Sequence, residues 1–477
     1  MPAAALILAT LLRAGVPGAS TDFPRGQVVD KVVAAKTPGQ SYALYLPSTY
    51  TPERLWPVLY MLDARNNALV PIERFRAAAE RFGWILVSSY NSRSDTRDDP
   101  NSAAMTAMWN DAVTRLSIDG RRVYVTGFSG GARAAVDVAY ALPGRVTGVI
   151  GAGAGFADSQ AAVKTVPFAY FGTVGDQDMN YYEMRELDEK LEKAKAPHRI
   201  AYFEGGHEWM SPELAGDAVA WMELQAMKSG VRPKDPETIA ALQAAARSRA
   251  AALEAEGKRT EAFRAYAHAA QDFRGLADVS SVEDDEKRAE ALRRLPEVQA
   301  ALKDARRRDA RDEATLRSVN TRLRNALSQP DPPVPTLLAA DLGIPGLRQK
   351  AASADSPEER LSAERILANL RAQTGFYLPE EMLFRRDSTR ARALLLVRAE
   401  IDPESPLVYY NVACIPARSG DAARAIKDLE HAVEKGFKRF ELIDTDTDFD
   451  SIRGDEAFRK WLAEARARSA TPGPATP

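Results

Sequence analysis

One pentapeptide limits what this chain can fold into more than any other stretch: Gly127-Phe128-Ser129-Gly130-Gly131. An apolar, β-branched run (Val123-Tyr124-Val125-Thr126) leads into it, and small residues (Ala134, Ala135, Val138, Ala139) leave it as a helix. Strand, sharp turn and helix in that order lift a serine hydroxyl to the tip of a strained turn. Glycine is demanded at 127 and 130 because a Cβ there would strike the neighbouring strand or the helix that begins. That helix aims its free N–H groups and positive dipole end at the space above Ser129, where negative charge would be stabilised.

The flanking sequence repeats the alternation. Residues 28–35, 41–47, 57–63, 84–89, 146–151, 166–172 and 199–203 read as strands. Residues 71–82, 103–116, 181–195 and 212–227 have helical spacing, and the helix after Ser129 runs to Leu142. Strands alternating with helices predict an α/β domain over residues 21–229, with a mostly parallel sheet covered on both faces. Ligands of such sheets bind at the carboxyl ends of the strands, where Ser129 falls.

A serine hydroxyl needs a base within hydrogen-bond reach to become a nucleophile. The chain has four histidines. His198 precedes a strand, at the wrong end of the sheet, and His268 and His431 lie in the helical second half. His207, in Gly205-Gly206-His207-Glu208-Trp209, alone follows a strand's carboxyl end downstream of the serine. A carboxylate to orient the imidazole should follow the preceding strand. Gly175-Asp176-Gln177-Asp178 offers two: Asp178, preferred because a turn precedes it, and Asp176 as runner-up, the loser capping the helix that starts near Asn180. An oxyanion hole needs two donors. The Gly130 N–H supplies one, and the loop after the strand ending at Asp63 supplies the other, from Ala64 or Arg65. Asp63 itself reads as a structural carboxylate paired with Arg65 or Asn91. Phe128, Trp109, Trp209 and the stretch Asn91-Ser92-Arg93 at a strand's carboxyl end are the candidates to line a substrate pocket.

These residues carry a resemblance. Gly127-Phe128-Ser129-Gly130-Gly131, Gly175-x-x-Asp178 and Gly205-Gly206-His207-Glu208-Trp209 resemble the α/β-hydrolase fold, in the subgroup of esterase D, polyhydroxybutyrate depolymerase and feruloyl esterase types. The resemblance covers about residues 27–228. It implies a serine esterase with Ser129 as nucleophile, His207 as general base and acid and Asp178 as orienting acid, acting on a small-molecule or polymeric ester without metal or cofactor. Leu62-Asp63-Ala64-Arg65 departs from the His-Gly sequence many members carry at the oxyanion loop, and no long lid insertion separates the strands.

After a linker at 230–236 the strand pattern stops, and the remainder is rich in Ala, Arg, Glu and Leu. It divides into a helical region, 237–330, and a C-terminal helical domain, 331–477, either side of the Pro-rich break Gln329–Pro335. Ala250, Gly257, Ala262, Tyr266 and Ala269 recur with the offsets of Ala413, Gly420, Ala425, Leu429 and Ala432. Small residues at these offsets let two antiparallel helices approach closely, and the offsets resemble the tetratricopeptide repeat, which implies packing or a protein or peptide partner. Pro416 departs from that pattern and should kink or shorten its helix. Residues 444–461 resemble the stretch that caps such arrays. The alternating Asp444, Asp446, Asp448 and Asp450 lack the glycine and closing glutamate of a calcium loop and read as a solvated turn. The charged run 281–311 mixes acids and bases, as a solvated helix or helix pair does.

Composition excludes several classes. A formal net charge of −2 and the lack of a basic stripe give nucleic acid no footprint. A single cysteine, Cys414, allows neither an internal disulfide nor a thiol-rich metal site. No segment is long and apolar enough to span a membrane. Ala3 to Leu12, followed by Gly15, Pro17, Gly18, Ala19 and Ser20, has the length and flank of a signal peptide over residues 1–20, although no Lys or Arg precedes it. An extracytoplasmic, periplasmic or secreted protein is expected on that ground; the alternative is a cytoplasmic one. Two other functions fit the same residues: a binding protein with a degenerate hydrolase domain, and a serine peptidase.

Overall fold

The computed structural model describes residues 23–96, 98–157 and 165–470. The expected signal segment lies outside them. Two compact units divide the chain, 1–307 and 308–477.

The first unit is built on an eight-stranded sheet: β1 (Val28–Val33), β2 (Ser41–Tyr45), β3 (Trp56–Leu62), β4 (Ile85–Ser89), β5 (Ile118–Phe128), β6 (Gly148–Ala152), β7 (Ala169–Gly175) and β8 (His198–Phe203). Their spatial order is β1-β2-β4-β3-β5-β6-β7-β8. Among these strands β1–β2 and β2–β4 pair antiparallel, and the other five pairs are parallel. This is the α/β-hydrolase fold. β5 begins earlier than its apolar run suggests, because Ile118 pairs with Trp56 ahead of the Val58–Val123 register.

Among the described residues, five helices cover the sheet: α1 (Leu69–Phe82), α2 (Pro100–Arg115), α3 (Gly130–Ala141), α4 (Tyr181–Lys193) and α5 (Pro212–Lys228). The central β3 is apolar and buried along its whole length because its successive side chains feed opposite layers. Val58, Tyr60 and Leu62 of β3 pack with Met105 of α2, Val136 of α3 and Leu187 of α4. Leu59 and Met61 pack with Ile72 and Phe75 of α1 and Val219 of α5. The buried Glu223 of α5 locks the second layer: it accepts from the Trp84 indole at 2.6 Å and pairs with Arg122 and Arg232.

Four more helices begin in this unit: α6 (Pro236–Ala255), α7 (Arg259–Phe273), α8 (Val279–Arg293) and α9 (Pro296–Leu327). The charged run 281–311 is thus a helix pair broken before Pro296, and the boundary between the units falls inside α9. In α6 and α7, Ala250, Ala262, Tyr266 and Ala269 are buried, and Gly257 turns the chain at φ 76°.

The second unit is helical among its described residues. Helices Pro406–Arg418 and Ala422–Glu434 repeat that arrangement, with Ala413, Ala425, Leu429 and Ala432 buried and Gly420 at φ 79°. Pro416 does not shorten its helix. It sits in the last turn, where one missing N–H is a local loss, and the helix still ends five residues past Ala413, as α6 ends five past Ala250. The aspartates of the 444–450 turn all have protein partners: Arg466 for Asp444, Tyr410 for Asp446, Arg418 for Asp448 and Arg453 for Asp450.

Candidate active site

Ser129 stands between β5 and α3 in a conformation few side chains adopt, φ 54° and ψ −122°. The surrounding backbone holds it there: its N–H donates to the Ala152 carbonyl at 2.8 Å, and α3 starts at the next residue. Glycines make the turn possible. A Cβ on Gly127 would overlap the Gly131 carbonyl, and one on Gly131 would overlap the Leu62 carbonyl. Gly130 differs from the sequence-based expectation: what occupies its Cβ space is the Ser94 side chain, not a strand or helix backbone.

β8 delivers His207 to the same rim. Its Nε2 lies 2.9 Å from the Ser129 hydroxyl oxygen, and its Nδ1 lies 3.0 and 2.9 Å from the two oxygens of Asp178. Asp178 is almost wholly buried. Burial pushes its carboxyl above the ordinary range, while the His207 ring and the Asn180 N–H pull it back down. Asn180 also fixes the floor, donating from its side-chain amide to the Gly153 carbonyl at 2.7 Å. Asp176 neither reaches His207 nor caps the following helix; it accepts from the Gly205 N–H at 3.1 Å, tying the two loops together. That bond is available because β7 runs on to Gly175 and places Asp176 beside the end of β8. The remaining histidines lie elsewhere: His198 opens β8, bonded to Asp188 and the Ala196 carbonyl, His268 sits in α7, and His431 is in the second unit.

The loop after β3 is organised by Asp63. One carboxylate oxygen accepts from the backbone N–H groups of Arg65 (2.8 Å) and Asn67 (3.2 Å), the other from the Trp209 indole (2.8 Å). Its partners are therefore main-chain groups and Trp209, not the Arg65 side chain or Asn91. The Arg65 N–H is consumed by this bond, so Arg65 cannot be the second oxyanion donor. The N–H groups of Ala64 and Gly130 have no acceptor among the described residues.

Phe128 and Trp209 form an aromatic wall behind the imidazole. Phe128 lies 4.7 Å from the His207 ring and 5.7 Å from Trp209, centroid to centroid, and both are buried. Trp209 thus acts as a strut for Asp63. Asn91 is taken up by β2, accepting from the Ser41 N–H and donating to the Gly39 carbonyl. Trp109 stacks on Tyr60 in the core at 5.2 Å. Packing and strand-end pairing explain those two.

Sequence reasoning missed Ser94 and Asp95, in the loop that continues past Arg93. It is joined to the Asp63 loop by two backbone bonds, Ser94 N–H to the Ala64 carbonyl and Asn66 N–H to the Ser92 carbonyl. Asp95 follows in the left-handed conformation, φ 58°, its carboxyl raised by burial against the opposing charges of Arg133 and His207. The available signal was a polar, small-residue loop at the carboxyl end of β4, the strand beside β3.

No protein-family profile matches the chain, and no curated protein matches it. Solved structures resemble part of it. A ferulic acid esterase is 15% identical, with 41% of this chain and 97% of that chain covered at a TM-score of 0.33. An S-formylglutathione hydrolase from Staphylococcus aureus is 11% identical over 43% of this chain and 99% of that one, TM-score 0.35. An esterase from Pyrobaculum calidifontis is 14% identical over 43% and 86%, TM-score 0.34.

Proposed function

We propose that the sheet-bearing domain is a serine hydrolase of carboxylic esters. The observation that carries the reading is the continuous relay from the buried Asp178 carboxylate through both ring nitrogens of His207 to the Ser129 hydroxyl. Ser129 Oγ attacks the ester carbonyl carbon as His207 Nε2 takes its proton, and the carbonyl π pair moves onto oxygen. The Gly130 and Ala64 N–H groups receive that oxyanion. Collapse expels the alcohol, protonated by His207, and leaves an acyl-Ser129. Water then attacks the acyl group, giving its proton to His207, and the serine leaves with that proton as the acid is released. Asp178 stays ionised throughout and stabilises the imidazolium.

Esters are favoured over amides because an alkoxide leaves with less help from a general acid than an amine does. Turnover of p-nitrophenyl acetate by the purified protein, set against Ser129→Ala, tests the reading. A loss of 10³-fold or more on substitution is expected; comparable rates for both proteins would end it.

A further inference from the structure

Ser94 carries a hydroxyl that no described residue uses. Its oxygen is shielded from solvent and has no hydrogen-bond partner among the described residues. Buried hydroxyls are almost always bonded, so such an orphan at a reactive rim marks a place where a ligand completes the network. Its position narrows the choice of ligand. The side chain fills the space over Gly130 where a Cβ would stand, and its backbone N–H is fixed to the Ala64 carbonyl at 3.1 Å. The hydroxyl is therefore held against the two residues whose own N–H groups are unpaired. It sits on a loop pinned by a second backbone bond, Asn66 to Ser92, and by the Ser92 hydroxyl on the Asp63 carbonyl at 2.8 Å. A donor that is rigid before substrate arrives needs no reorganisation in the transition state.

We infer that Ser94 is a third oxyanion donor: its Oγ–H bonds to the substrate carbonyl oxygen as that oxygen gains charge, beside the Gly130 and Ala64 N–H groups. The proton stays on Ser94, and the bond strengthens on the way into each tetrahedral intermediate and weakens on the way out. The inference rests on the ester-hydrolase reading above. It also explains Gly130, since an alanine there would drive the hydroxyl from its place.

The test is Ser94→Ala and Ser94→Cys in the full chain, with p-nitrophenyl acetate kinetics, inhibition by a trifluoromethyl ketone and thermal unfolding. The ketone's adduct with Ser129 bears the same oxyanion. Loss of the hydroxyl should lower kcat by about 10²-fold with KM within threefold, and weaken the ketone in step with kcat/KM. Ser94→Cys, a weaker donor of similar shape, should fall between. An unchanged kcat in Ser94→Ala overturns the inference. So does a fall in kcat accompanied by lower thermal stability while ketone affinity holds, because that marks a packing role. Failure of the underlying reading looks different: wild type would neither turn over the ester nor bind the ketone, or Ser129→Ala would match it, and the inference would fall with it.

Discussion

Replacing Asp63 with asparagine tests whether this carboxylate acts through its loop and not on the substrate. Asp63 is 5% exposed and accepts three hydrogen bonds, two from the loop backbone and one from the Trp209 indole. An asparagine can keep its carbonyl toward Arg65 and Asn67 only by turning its amide N–H₂ toward the Trp209 N–H, donor against donor. A bond to a charged acceptor contributes roughly 1.5–3 kcal/mol, and an orphaned buried donor costs about 1–3 kcal/mol. We therefore expect Asp63→Asn to destabilise the domain by about 2 kcal/mol. Trp209→Phe should cost a similar amount by leaving a buried carboxylate oxygen bare. In the double variant the clash and the bare charge both vanish, so its cost should fall short of the sum by about 1 kcal/mol or more. Urea unfolding of the four proteins measures the cycle. Turnover should drop only about tenfold in Asp63→Asn, since the Ala64 donor is displaced and not lost. Additivity within about 0.5 kcal/mol would refute the coupling. A loss beyond about 10³-fold at unchanged stability would place Asp63 in the chemistry itself.

Two further outcomes follow from the ionisable groups. Burial raises the Asp178 carboxyl, so its ionised form weakens the fold, and stability is lost as pH rises through that raised range. Asp178→Asn should accordingly melt no lower than wild type at neutral pH while losing about 10³–10⁴-fold in kcat, which calorimetry and ester turnover together check. His268 is drawn down to about 3, chiefly by burial, with the charges of Arg199, Arg264 and His198 adding to it. The unfolded chain thus takes up a proton first on acidification, and stability should fall between pH of about 6.5 and 3 by up to about 1.4 kcal/mol per unit. His268→Gln should lose that slope in urea titrations run across the range.

The layered sheet was legible because uninterrupted apolar strands and amphipathic helices leave few other ways to bury their surface. Ser129, Asp178 and His207 were legible as a set because each follows a strand of one parallel sheet, and strand direction puts all such positions on one rim. What stayed hidden depends on where loops run. Arg65 looks as good a backbone donor as Ala64 until Asp63 turns back and binds its N–H. Asn91 looks like a rim residue, but the antiparallel β2 brings Ser41 and Gly39 to its amide. Ser94 lies one residue past Asn91-Ser92-Arg93, and only the close approach of its loop to the turn at Gly130 gives its hydroxyl meaning. Pro416 misled in the opposite direction: the rule that proline breaks helices is about interiors, and this one stands in a last turn.

Labelling with a fluorophosphonate probe, followed by peptide mapping, measures most directly whether the imidazole activates the serine, and it needs no knowledge of the natural ester. The wild-type chain should be modified at Ser129 alone, with labelling lost in Ser129→Ala and slowed by orders of magnitude in His207→Ala. Labelling at another residue, or at an undiminished rate without His207, would contradict the relay on which the hydrolase reading stands.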